Sequence, residues 1–306
     1  MESALPSMGP RMGPRVGPVQ VWLLAARPAT LPAAIVPVLV GSAAAAAEGH
    51  FRPLAFSAAL LASMLIQVGT NLANDYSDYF KGADTAARLG PLRVTQSGLL
   101  PPETVKRATI LVFALAMLLG LYLVSVAGWP IVAIGLACIV AGVLYTGGPW
   151  PLGYHGLGDL TCFVFFGFVA VLGTAYLHTE TITGLAVVAS LPVACLVTAI
   201  LVVNNLRDID TDRASGKYTL AVLIGRRATR LEYLLLLAGA YLVPLARALA
   251  GASFWWWLPW LTLPLAVAVV RVVLHQQGRA LNPALRDTAR LHLSFGVLFA
   301  ASLLLG

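Results

Sequence analysis

Charge is what this chain has least of. Of its 306 residues, 11% are Asp, Glu, Lys or Arg and 59% are hydrophobic, whereas a soluble domain carries roughly a quarter charged residues. With a mean hydropathy of +0.83, an ordinary water-soluble fold is excluded. Polar stretches long enough to bury a core of their own are missing too, which excludes a separate soluble domain. Cysteine is confined to Cys138, Cys162 and Cys195, each inside an apolar run and none in a C-x-x-C pair. That pattern excludes a disulfide framework and a thiolate metal site. The histidines, His50, His155, His178, His275 and His292, show no metal-ligand spacing, so neither zinc nor haem finds a ligand set. The excess of basic residues, 20 against 13 acidic ones, is spread between apolar runs instead of gathered in a patch, and no nucleic-acid partner is expected.

What the chain does have is a succession of apolar runs. Residues 1–20 stand apart from them as a basic tail with a repeated M-G-P-R, too rich in Gly and Pro for a helix and expected to be disordered. The tail lacks the apolar stretch of a signal peptide, so the first long run after it is expected to stay in place. With about 17–25 residues per crossing as the yardstick, roughly nine spans follow, near 28–47, 54–74, 108–126, 130–145, 157–176, 182–203, 231–249, 255–273 and 291–305. The expected fold is all-α: one polytopic membrane domain over residues 21–306, two four-helix halves plus a last helix around a central cavity. With the N-terminus inside, only Arg52 and Arg247 of the 20 basic residues fall outside, as retention of Lys and Arg in the cytoplasm demands. Outer loops are short and expected to form a closed end. Trp129, Trp255, Trp256 and Trp257 mark outer ends of spans and read as an interfacial belt.

Two stretches break the apolar pattern in equivalent places, one ending the second span and one the sixth. They read N-L-A-N-D-Y-S-D-Y-F-K over residues 71–81 and N-N-L-R-D-I-D-T-D-R-A-S-G-K over 204–217. Asn71 and Asp75, Asn74 and Asp78, and Asp208 and Asp212 each stand four residues apart, so each pair shares a helix face. Carboxylates gathered at a membrane boundary repel one another unless a cation lies between them, and a hard divalent ion takes oxygen ligands. Solvated helix ends would explain a single Asp but not this density. A transport path calls for carboxylates near mid-span, where this chain has almost none. The third reading is an enzyme binding a lipid diphosphate, with Mg2+ on Asp75, Asp78, Asp208 and Asp212, nearby Lys and Arg adding charge, and an apolar tunnel for the tail.

At these residues the chain is similar to the UbiA superfamily of intramembrane prenyltransferases, whose signature is N-D-x-x-D after the second helix and D-x-x-x-D after the sixth. Four segments narrow the resemblance: residues 69–84, 90–98 (G-P-L-R-V-T-Q-S-G), 154–159 (Y-H-G-L-G-D) and 204–225. Together they resemble the members that prenylate 1,4-dihydroxy-2-naphthoate in menaquinone synthesis. The resemblance implies that Asp75, Asp78, Asp208 and Asp212 hold Mg2+ and carry the chemistry, with Asn71, Asn74 and Asn204 as polar support. It implies that Lys81, Arg93, Arg207 and Lys217 contact the diphosphate or pair with the carboxylates. Tyr145 could steady a cation or orient the acceptor through its ring face. Many members carry a third Asp four residues after the second; here Gly82 stands there, and roles for Asp84, Asp159 and Asp210 stay open. The implied partners are a polyprenyl diphosphate, the naphthoate acceptor and the bilayer of the cell inner membrane, with the site facing the cytoplasm. Other aromatic acceptors, such as 4-hydroxybenzoate or homogentisate, and an ion-coupled transporter are the alternatives.

Overall fold

The structure, a computed structural model, describes residues 17–81, 89–90 and 92–306. Proline opens each helix of the first half, where its fixed φ and missing N–H suit the first turn. These helices are α1 (Pro18–Ala26), α2 (Pro32–Ala47), α3 (Pro53–Phe80), α4 (Pro102–Ala127) and α5 (Pro130–Leu144). α6 (Gly158–Thr179) contains a π-helical stretch, Phe163–Val169. α7 (Gly184–Ala214) and α8 (Leu220–Leu249) begin at threonine caps. Thr183 Oγ1 accepts from the Ala186 N–H at 3.2 Å, and Thr219 Oγ1 from the Val222 N–H at 3.4 Å, satisfying amides that the first helical turn leaves without partners. α9 (Phe254–His275) starts as a tight 3-10 turn and relaxes into an α-helix, and α10 (Gly278–Leu305) completes the chain. Among the described residues there is no strand; an isolated bridge joins His155 and Tyr218.

Among the described residues, seven helices are long and apolar enough to cross a bilayer, or eight if α1 and α2, bent by 49° at the intervening Pro28–Thr30 turn, form one span. The nine spans expected from hydropathy are not confirmed by this count. The ninth candidate is α5, apolar but 15 residues and about 22 Å long against a hydrocarbon thickness of about 30 Å, which starts just after the Val126 end of α4 and finishes beside Thr146, the partner of Asn74 and Lys81. Residues 1–16 of the expected tail lie outside the described residues, and its last three, Pro18, Val19 and Gln20, open α1.

Each acidic motif ends one helix of an antiparallel pair, α3 packed on α4 and α7 packed on α8, and α10 closes the ring by lying against α2. The main core joins α2 and α6–α10 through Val40, Val171, Leu196, Tyr233, Val273 and Phe295, with Tyr241 meeting Phe295 edge-on at 5.2 Å. Small residues let the helices approach, since lipid offers no hydrophobic drive between them and packing must supply the attraction. Gly296 of α10 is the clearest case: a Cβ there would collide with the Val36 side chain of α2.

At the end remote from the motifs, Arg52 binds several chain segments. Its guanidinium donates to the carbonyls of Val126 and Leu177, each at 3.2 Å, and to Glu180 at 2.6 Å, while its backbone N–H donates to His178 Nδ1 at 3.1 Å. His178 Nε2 in turn meets Ser42 Oγ at 2.9 Å. Trp129, Trp255 and Trp257 are exposed, as an interfacial belt requires, but Trp256 is buried against Phe299 and beneath Arg247. It belongs to the core because the 3-10 turn faces it inward.

The α2–α10 contact predicts that Gly296→Leu lowers the melting temperature in detergent by several degrees or prevents folding, overpacking of this kind costing about 1–3 kcal/mol or more. Gly120→Leu, where nothing lies within 4 Å of the added Cβ, should melt like the parent. Fluorescence-detected melting of both variants reads the difference.

Candidate active site

The ends of α3 and α7, each an apolar helix turning polar in its last turns, bring both acidic motifs to one end of the bundle. Asp75 and Asp78 are buried on the inner face of α3. The segment over residues 92–100, which overlaps the G-P-L-R-V-T-Q-S-G stretch, folds beneath them because Val94 is drawn into a small apolar cluster with Val21, Ala25, Leu72 and Val105. That insertion delivers two donors. The Val94 N–H donates to Asp75 Oδ2 at 3.2 Å, and Arg93 donates to Asp78 Oδ2 at 3.0 Å, both partners of this pair being buried. Asp75 Oδ1 is buried with no hydrogen-bond donor among the described residues.

On α7, Arg207 is fully buried and its guanidinium is nearly saturated. Nε and an Nη donate to the two carboxylate oxygens of Asp208 at 2.8 and 2.6 Å, and further bonds reach Asn204 Oδ1 at 2.9 Å and Asn282 Oδ1 at 3.0 Å. Asn282 of α10 donates onward to the Leu89 carbonyl at 3.1 Å. This chain of bonds ties the loop after the first motif to the second. Lys217 lies 3.6 Å from Asp212.

The sequence-derived residues divide into two groups. Asp75, Asp78, Arg93, Lys81, Asp208, Asp212 and Lys217 gather at this end of the bundle. Lys81 Nζ donates to the Thr146 carbonyl at 2.5 Å; burial lowers its pKa from the ordinary lysine value, and Asp78 raises it. Asn74 Oδ1 accepts from Thr146 Oγ1 at 2.8 Å, joining α3 to the chain after α5. Asn71 turns the other way. Its amide donates to the Ala26 carbonyl at 2.9 Å and Thr30 Oγ1 at 2.8 Å, fastening α3 to the α1–α2 bend. Arg207 and Asn204 likewise serve Asp208 from beneath. Tyr145 is half-buried within electrostatic reach of Asp159, Asp212 and Asp78; Gly158 admits its hydroxyl, which would stand 3.0 Å from an added Cβ.

Of the residues left open, Asp159 is buried with Asn205 Nδ2 at 3.4 Å, so it belongs to the site's wall. Asp210 is exposed and paired with Arg226 at 2.5 Å on the opposite side of α7. Asp84 lies outside the described residues. Sequence reasoning missed Tyr154. Its hydroxyl donates to Asp78 Oδ1 at 2.9 Å, and its ring faces Lys81 at 5.1 Å and Lys217 at 5.7 Å. Its place in the Y-H-G-L-G-D segment was the available signal, but no spacing rule links that segment to Asp78. Farther along the helices, a half-open apolar pocket of about 360 Å³ lies among α2, α3, α4, α5 and α6, lined by Ala62, Ile66, Met117, Ile139 and Gly173 among others. Ile66 is nine residues below Asp75 on α3, or about 13 Å along the axis.

Such a site, oxygen donors and cations at the mouth of an apolar bundle, has relatives. The chain is 39% identical over 294 residues to a 1,4-dihydroxy-2-naphthoate octaprenyltransferase of Escherichia coli, covering 94% of this chain and 96% of that one. It is 38% identical over 298 residues to the protein of the same name from Haemophilus influenzae, at 94% and 97% coverage. Among solved structures it resembles a UbiA homolog from Archaeoglobus fulgidus bound to DMAPP and Mg2+, with a TM-score of 0.62 at 13% identity over 92% of this chain and 99% of that one. The match to the UbiA prenyltransferase family spans residues 34–301, and the chain belongs to that family.

Proposed function

We propose that the protein transfers a polyprenyl group from its diphosphate to 1,4-dihydroxy-2-naphthoate with loss of CO2, giving demethylmenaquinol, the membrane step of menaquinone synthesis. The carrying observation is that both acidic motifs and their basic partners meet at one end of an apolar helical bundle, in a chain this similar to 1,4-dihydroxy-2-naphthoate octaprenyltransferases. Residues 21–306 act as one membrane domain. The distribution of Lys and Arg supports an orientation with the N-terminus and site on the cytoplasmic side of the inner membrane.

The donor set suits Mg2+. A buried carboxylate oxygen without a donor, as at Asp75 Oδ1, is costly unless something completes it, and the acidic side chains here offer only hard oxygen ligands. Among the described residues no three metal-ligating side chains form a ready-made cage, in keeping with an ion held by one or two carboxylates together with substrate phosphates. Asp75, Asp78, Asp208 and Asp212 are the residues that would hold it. When bound, Mg2+ draws electron density from the carbon–oxygen bond that breaks.

The chain's own groups do the rest. Lys81, Arg93 and Lys217 offset the charge growing on the leaving diphosphate. Arg207 is already spent on Asp208, Asn204 and Asn282, so its part is to hold Asp208 in place. The apolar walls of α3–α6 take the prenyl tail and keep water from the allylic cation. Tyr145 is placed to present its ring face to that cation. The carboxyl-bearing ring carbon forms the new bond, and CO2 departs leaving its electron pair in the ring. Charge balances with no net proton released, so no side chain has to act as a base.

Purified protein in detergent with Mg2+, the naphthoate and a polyprenyl diphosphate should give a prenylated product lacking the carboxyl mass, and none with EDTA; mass spectrometry reads both. Product that keeps its carboxyl group would overturn the acceptor chemistry. Asp75→Ala and Asp208→Ala should each cut turnover by about a hundredfold or more, the scale of lost transition-state electrostatics, while eluting as folded monodisperse protein. Near-normal turnover in both would sink the metal-site assignment.

A further inference from the structure

Tyr154 holds a position that no role in the reaction above accounts for. It lies in the chain after α5, which belongs to the first half. Yet its carbonyl accepts the Tyr218 N–H at 3.1 Å, and His155 forms a bridge with Tyr218, so its backbone is stitched to the loop that follows the second motif. Its side chain then reaches back across the site to Asp78 of the first motif at 2.9 Å. The ring has two ammonium groups near it, Lys81 just after the first motif at 5.1 Å from its centre and Lys217 just after the second at 5.7 Å. Lys217 also stands beside Asp212.

We propose that Tyr154 is a positioning residue that fixes the spacing of the two acidic motifs and gathers one lysine from each toward a single diphosphate. Two ammonium groups repel each other, and each would turn to solvent if nothing held it. An aromatic face attracts cations without neutralising them, so it keeps both lysines near the site while leaving their charge available. A carboxylate in that place would pair with them and compete with the incoming phosphate oxygens. The phenol hydroxyl has a different task. It occupies Asp78 Oδ1 while Arg93 occupies Oδ2, and so fixes the plane of that carboxylate.

This inference rests on the diphosphate reading above, and its test separates the two. Inorganic pyrophosphate with Mg2+ is the binding probe, read as a rise in melting temperature without turnover, beside KM and kcat for each substrate. Tyr154→Phe keeps the ring and loses the hydroxyl. It should raise both KM for the polyprenyl diphosphate and the half-saturating pyrophosphate concentration about tenfold, the factor of a lost charge-assisted hydrogen bond. KM for the naphthoate and the melting temperature without ligand should not change. Tyr154→Leu, which also takes the aromatic face away from both lysines, should weaken pyrophosphate binding several-fold further. Wild-type pyrophosphate affinity in both variants overturns the proposal, as does a lowered melting temperature with both KM values unchanged. Wild-type protein stabilised by pyrophosphate but forming no prenylated naphthoquinol would refute the acceptor reading and leave the Tyr154 proposal standing. Wild-type protein that pyrophosphate does not stabilise would refute both.

Discussion

Burial of carboxylates at one end of the bundle is the constraint on which the rest of the site depends. A carboxylate taken out of water is costly unless an opposite charge or a hydrogen-bond donor reaches it. Asp75, Asp78, Asp159 and Asp212 are all buried. Asp78 and Asp208 each have a guanidinium at hydrogen-bond distance, and Asp212 has an ammonium nearby. The matching charges come from different places: Arg93 from a segment inserted beneath α3, Arg207 from the motif's own helix, Lys217 from the turn after it. Much of the fold near the site can be understood as the means of delivering them. Without Val94 buried in its cluster, Arg93 would have no reason to stand where it does.

The same constraint explains why the site is poised instead of inert. Arg207 is saturated by neighbours and fixes Asp208. Lys81 and Lys217 are held mainly by a backbone carbonyl, an aromatic face and a longer ion pair, all weaker than a bidentate guanidinium–carboxylate pair. A highly charged anion can therefore recruit the lysines while Arg207 stays behind. Rigid and exchangeable cations occur within one small volume, and the distinction follows from how many partners each one has.

What could be read from the sequence was whatever repeats along one helix. The four-residue step of Asn74 to Asp78 and of Asp208 to Asp212, the apolar runs and the placement of Lys and Arg all express local periodicity, and the all-α membrane fold followed from them. Asp210, two residues from Asp208 and so on another face of the helix, pairs there with Arg226. Relations across the chain were hidden. Asn71 shares a face with Asp75 by spacing, yet it bonds to Thr30, because the α1–α2 bend brings that hydroxyl to it. Tyr154 is 76 residues from the carboxylate it touches, and no period encodes that distance. The count of nine spans turns on α5, which has the composition of a crossing in 15 residues of helix, and hydropathy averages register composition before length.

The Arg52 clamp has a mechanical consequence. Because one side chain holds the starts and ends of several helices together, those helices cannot spread at that end without breaking bonds to Val126, Leu177 and Glu180. Any opening has to be a tilt pivoting there. α3 has 28 residues, a lever of about 42 Å, so a tilt of about three degrees would move its tip by about 2 Å. That is wide enough to loosen every contact of Asp78 while the pivot hardly moves. A site at the far end of such a lever needs no hinge of its own.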